Sequence, residues 1–187
     1  MSTDKSTQYL LLVALLVAGY LTTSPYRAVA AISASGSEEV SGLLADAKTE
    51  AHELERDAGE MKMFTRSSLT WRSHAAKLEE IKRHVNQAGQ LLTKLNEARS
   101  TATAWQQQAI DAITPLLREL ASNTTAMIEH LNKDQDSHRF NTEYQDYAAA
   151  NCDLATNLAA LITDYVEYGK HQAEFQRLQD KLQAAEK

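Results

Sequence analysis

The chain has 187 residues, 43% of them hydrophobic and 24% charged, and a formal net charge of −6. This composition is globular, not disordered, and the length suits one domain better than two. The acidic balance, without a basic run, argues against nucleic acid and anionic membrane surfaces as partners, and 6% aromatics with two prolines favour helix over sheet.

Residues 1–30 read as a signal peptide. A polar start with Lys5 leads into an apolar run from Tyr9 to Leu21, and a polar stretch with Pro25 and Arg27 ends in Ala28-Val29-Ala30. Thirteen apolar residues at about 1.5 Å each fall short of a hydrocarbon core roughly 30 Å thick, so cleavage after Ala30 is expected in preference to a membrane anchor. Removing Asp4, Lys5 and Arg27 shifts the net charge from −6 to about −7. The expected location is therefore outside the cytoplasm, periplasmic or extracellular. Cys152 is the only cysteine. It allows no internal disulfide, so stability rests on packing, with a small buried hydrophobe as the plain reading and an intermolecular disulfide as the sharper one.

Residues 31–37, around Gly36, read as a flexible lead, and residues 38–187 as a single helical domain. Ser35 and Glu38 have capping-box spacing. The first apolar stripe is Val40, Leu44, Ala47, Ala51, Leu54, Ala58 and Met61, rich in alanines that permit close helix approach. The hydroxyl-rich stretch from Thr65 to Thr70 reads as a turn, with one unbroken helix from Glu38 to Ala98 as the rival. The second helix carries Leu78, Ile81, Val85, Ala88, Leu92 and Leu95. A turn near Ser100 follows, where Thr103 and Gln106 again have capping-box spacing. The third stripe runs Ile110, Ile113, Leu117, Leu120, Thr124, Met127 and Leu131, and Pro115 should bend that helix. Asn123-Thr124-Thr125 matches a glycosylation acceptor but falls inside the third helix beside a seam position, so the match is read as accidental.

After a polar turn at Asn132–Asp136, a seven-residue repeat marks one long helix. Its positions run from Phe140 through Tyr144, Tyr147, Asn151, Leu154, Leu158, Leu161, Tyr165, Tyr168, Gln172, Phe175 and Gln179 to Leu182, in steps of four and three. Short connections make neighbouring helices antiparallel. The expected fold is all-α, an antiparallel four-helix bundle with coiled-coil-like heptad packing and a long C-terminal helix. That last helix should overshoot the bundle by about fifteen residues, or roughly 22 Å, leaving Phe175, Leu178 and Leu182 either on a fraying end or against a partner. The remaining charges read as solvated helix faces.

No catalytic motif is present: there is no GxSxG, HExxH, phosphate loop or Glu-x-x-His pair. A non-enzymatic protein without a cofactor is expected. The antiparallel layout places Met61, Met63, His74, His130 and His138 at one pole, where thioether and imidazole would suit copper, and imidazole with Asp134 or Asp136 would suit zinc. Pairing Met61 with His171 as haem ligands is rejected, since the layout separates them by about 50 Å. The plain alternative is solvated histidines and a core methionine. Tyr144, Tyr147, Tyr165 and Tyr168 read as core rings with hydroxyls at the rim, or as an aromatic groove for a peptide or small apolar ligand. The function expected is protein–protein interaction or scaffolding, with a protein partner or a homo-oligomer joined through Phe175, Leu178 and Leu182. Alternatives are a small-ligand or metal-binding bundle, and a periplasmic chaperone or sensor-like module.

Overall fold

The computed structural model describes residues 25–133 and 142–186, with side chains from Ser37 onward. The chain divides into two compact units, Met1–Ile32 and Ser33–Lys187. Of the first, the described part is helical. Among the described residues there are four helices, α1 (Pro25–Phe64), α2 (Trp71–Glu97), α3 (Ala104–Lys133) and α4 (Thr142–Ala185), with a short 3-10 turn, Ala98–Thr101, between α2 and α3; the part of α1 from Ser33 onward and the other three helices form the bundle of the second unit. The all-α antiparallel four-helix architecture read from the heptads is the observed one. The signal peptide expected at residues 1–30 lies mostly outside the described residues. Helix α1 covers residues 31–37, so the lead placed there is helical. Alanine is the best helix former, and a single Gly36 costs only about 1 kcal/mol.

The breaks have local causes. At the end of α1 the backbone bonds tighten, with Arg66 N donating to Met63 O at 3.1 Å and Ser67 N to Phe64 O at 3.0 Å. The Thr65 and Ser67 hydroxyls donate to the carbonyls of Lys62 and Phe64, both at 2.8 Å. Hydroxyls thus satisfy the orphan carbonyls of the last turn, and the unbroken-helix rival is overturned. At the start of α3, Thr103 N donates to Gln106 Oε1 at 2.8 Å, one half of the expected capping box. The other end of that buried amide donates to Ser37 O (2.7 Å) and Ser41 Oγ (2.9 Å), tying α3 to α1. Arg99 clamps Asp111 with two bonds of 2.8 and 2.9 Å, holding the 3-10 turn to α3. Helix α3 carries Pro115 without interruption.

Cross-helix contacts fix direction. Lys62 meets Asp153 at 3.2 Å, His52 meets Thr163 at 3.1 Å, and Lys48 meets Glu167 at 3.4 Å. Each step back along α1 is matched by an equal step forward along α4, so the two run antiparallel. The pairings of Lys77 with Asp57 and of His84 with Glu50 give the same sense for α1 and α2. Helices α3 and α4 are joined by Asn151 Nδ2 donating to Thr124 Oγ1 at 3.0 Å. A slipped alignment would strand the buried Asn151 amide, whereas Thr124 keeps its bond to Leu120 O, so Asn151 specifies register.

All seven stripe positions of α1 and all seven of α3 are buried. In α4 the reading needs correction. The buried residues are Tyr144, Ala148, Asn151, Ala155, Leu158, Ala159 and Ile162, whereas Tyr147, Leu154 and Leu161 are half-buried and Gln172 and Gln179 are exposed. A helix touching two neighbours buries a wide stripe, and alanines occupy its centre because backbones approach most closely there. Large apolar residues then flank that centre. Each fully buried leucine or isoleucine contributes roughly 1.5–3 kcal/mol.

Candidate functional site

Of the residues expected at a metal pole, Met61, Met63, His74 and His130 are described. His74 is fully buried, with Nδ1 3.1 Å from the Tyr144 hydroxyl and its ring 6.0 Å from that of Phe64. Burial pushes the Tyr144 hydroxyl above the ordinary tyrosine value. His130 Nε2 lies 3.4 Å from Glu143 Oε2, and its ring packs 5.9 Å from Tyr147. Met61 is in the core and Met63 is 64% exposed. His138, Asp134 and Asp136 lie outside the described residues. Among the described residues, no group of three or more His, Cys, Asp or Glu side chains stands where it could hold a metal ion. Cys152 is a free, half-buried thiol.

Between α1 and α2 lies a set of charges that the reading of solvated faces missed. Asp57 is 2% exposed, and its carboxylate meets Lys77 Nζ and His84 Nε2, both at 3.4 Å. Lys77 also meets Glu60 at 2.7 Å and Glu80, while His84 Nδ1 meets Glu50. Burial pulls the Lys77 ammonium down, but bonds from Glu60 and Glu80 outweigh it and hold Lys77 above the ordinary lysine value. The same bond from Lys77 holds the Glu80 carboxyl below the usual range. A signal was available: Glu50 and Asp57 are one heptad apart, as are Lys77 and His84, so acidic side chains on one helix stand beside basic ones on the next at facing seams. Every group here has a partner within the bundle, so the set pins α1 to α2.

The last part of α4 differs from everything else in the molecule. Residues 170–186 are all exposed, yet the helix continues to Ala185, a length of about 22 Å beyond Lys170. Tyr168, Phe175, Leu178 and Leu182 are 47%, 59%, 48% and 67% exposed. The heptads explain what this end inherits from the bundle. The line Tyr147, Leu154, Leu161 runs half-buried through the body and continues apolar as Tyr168, Phe175 and Leu182. The buried line Tyr144, Asn151, Leu158 turns polar at Gln172 and Gln179. On the opposite flank the reverse happens, as Asn157 and Asp164 give way to His171, Leu178 and Ala185. The apolar face thus rotates by roughly a quarter turn at the point where the bundle stops covering it.

At the root of this end, α1, α3 and α4 enclose a cleft of about 450 Å³. Leu44, Trp105, Val166 and Ala173 supply its apolar wall, with Ser41 and Lys170 at its edge. The Trp105 ring meets Tyr168 edge-on, with centroids 5.7 Å apart. Gly169 makes this approach possible, because a β-carbon there would lie 2.7 Å from Trp105 Cη2. The sequence showed Tyr168 as part of a stripe but not its meeting with Trp105, 63 residues earlier in the chain. No helix among the described residues is long and apolar enough to cross a membrane. The chain matches no protein-family model, no curated protein and no solved structure.

Proposed function

We propose that this protein is an exported, non-catalytic bundle that acts by binding another protein chain through the free end of α4. The observation that carries the reading is the exposed row of Tyr168, Phe175, Leu178 and Leu182 on a helix that outlasts its own bundle. A lone amphipathic helix of this length is marginal in water, and an apolar row with polar flanks is the form a helix takes when a partner covers it. Export is supported by the leader pattern of residues 1–30. The test is affinity capture from source-cell extract with tagged wild-type protein and with Phe175→Ser/Leu178→Ser/Leu182→Ser. Wild type should retain a protein, a further copy of itself included, that the variant loses. Identical retention by both removes the reading.

A second reading, a small-ligand bundle, is favoured by the cleft beside Trp105. Its volume and apolar wall suit a small apolar molecule. With Trp71→Phe leaving Trp105 as the sole indole, anilinonaphthalene sulfonate should quench its emission, and Gly169→Leu should abolish the quenching. No quenching in the parent counts against a ligand site.

A further inference from the structure

The exposed face of α4 carries a charge pattern that identifies what covers it. Tyr168, Phe175 and Leu182 form one line of the face, and His171, Leu178 and Ala185 the other. These two lines are the a and d positions of a coiled coil. The flank beside the second line carries Glu174 and Lys181, one heptad apart, and the flank beside the first carries Gln172 and Gln179. Among the described residues neither Glu174 nor Lys181 has an ion-pair partner, whereas Glu167, one heptad earlier, has both Lys48 and Lys170.

We infer that the free end of α4 pairs antiparallel with the same segment of a second copy of this chain, with Phe175 packed against the second copy's Leu178 and Glu174 against its Lys181. The inference rests on the functional reading above and names its partner. In an antiparallel pair, a positions of one helix layer against d positions of the other, and like flanks meet. Setting Phe175 against the second copy's Leu178 also sets Leu182 against His171 and Tyr168 against Ala185. The same register brings Glu174 to Lys181 twice and Gln172 to Gln179 twice. Slipping by one heptad either way sets Glu174 on Glu174 or Lys181 on Lys181. Only one register therefore satisfies both the apolar lines and the charges.

Charge over the whole chain favours the same direction. Residues 170–187 hold four basic and three acidic side chains, a net +1, whereas residues 31–169 hold thirteen basic and twenty-one acidic, a net −8. Parallel pairing would bring two acidic bodies side by side and stack His171 on His171. Antiparallel pairing puts the bodies at opposite ends of the shared segment, about 27 Å for residues 168–185.

The test is sedimentation equilibrium of the purified protein, alone, against a truncation after Lys170 and against charge variants. The expected result is a dimer for the full chain and a monomer for the truncation. Glu174→Lys and Lys181→Glu should each raise the dissociation constant about tenfold, because each replaces two attractions by two repulsions. The double exchange Glu174→Lys/Lys181→Glu should restore it. A monomeric full chain overturns the inference, as does a dimer that survives truncation. A double exchange no better than the single reversals overturns the antiparallel register. If the purified protein is monomeric while affinity capture still loses a protein in the Phe175→Ser/Leu178→Ser/Leu182→Ser variant, self-pairing falls and the reading of α4 as a docking helix stands. If capture shows no dependence either, both fall.

Discussion

Helix α4 contains two regions built on one heptad repeat that end in opposite environments. From Tyr144 to Ile162 its centre is buried in the bundle, and from Lys170 to Ala185 nothing in the described chain covers it. The body fills its centre with alanines and keeps larger residues at the flanks, since backbone proximity there leaves little room. The free end has one leucine, Leu178, where the body has Asp164 and Asn157, and glutamines where the body has Leu158 and Tyr165. A repeat therefore tells which side of a helix avoids water, and the residues that change phase within it tell where the neighbour changes.

The largest contrast should appear on truncating one leucine in each region. Leu158→Ala should cost about 2–5 kcal/mol of stability in urea unfolding, because the fully packed site cannot collapse around the lost atoms. Leu182→Ala, measured in dilute protein, should stay within about 0.5 kcal/mol. Equal losses would mean that the free end folds back on its own bundle. Next in size is Lys77→Met, which leaves the buried Asp57 carboxylate with Arg56 and His84 only and removes the partner of Glu60 and Glu80, and should cost about 1–3 kcal/mol. The same urea measurement on Lys181→Met, a lysine without an ion-pair partner among the described residues, should show almost no loss.

An effect of similar size is expected at the border of the two regions. Gly169→Ala places a methyl group against the Trp105 indole, and should cost about 1–3 kcal/mol while shifting Trp105 emission in a Trp71→Phe background. Unchanged emission would show that the ring does not rest on that glycine. The smallest effect is that of pH. The Glu80 carboxyl, held down by Lys77, contributes stability above the ordinary value of 4.5 that is lost as pH falls through its lowered folded value. Lys77, held up, contributes stability that is complete below 10.5 and lost only as pH rises through its raised value. Stability should therefore fall on acidification below about pH 4.5, measured by thermal unfolding, and Lys77→Met should flatten that fall. Truncation after Lys170 should leave it unchanged, because Glu80 and Lys77 sit in the body.

The sequence was informative where large apolar residues coincide with the bundle centre, as in α3, where Ile110, Ile113, Leu117 and Leu120 are all buried. It misled in α4, where Ala148 and Ala155 take the centre and Leu154 and Leu161 stand beside it, because hydrophobicity ranks leucine above alanine while close packing favours the smaller residue. The α1–α2 charge set escaped notice for a related reason. Pairing Asp57 with Lys77 depends on which helix lies across the seam, and a single-helix pattern does not contain that information. The exposed row Phe175, Leu178 and Leu182 was legible, and the cleft at its root was not, because Trp105 and Gly169 meet only when α3 and α4 are aligned.

By itself the sequence determined four helices, their breaks and their water-avoiding sides, because hydroxyl-rich turns and heptad spacing act over a few residues. Tertiary structure alone decided which apolar residues are central and that Asp57 is buried against Lys77 and His84. Burial is non-directional, so a helix face specifies that it needs cover, and only the arrangement of the neighbours specifies what covers it.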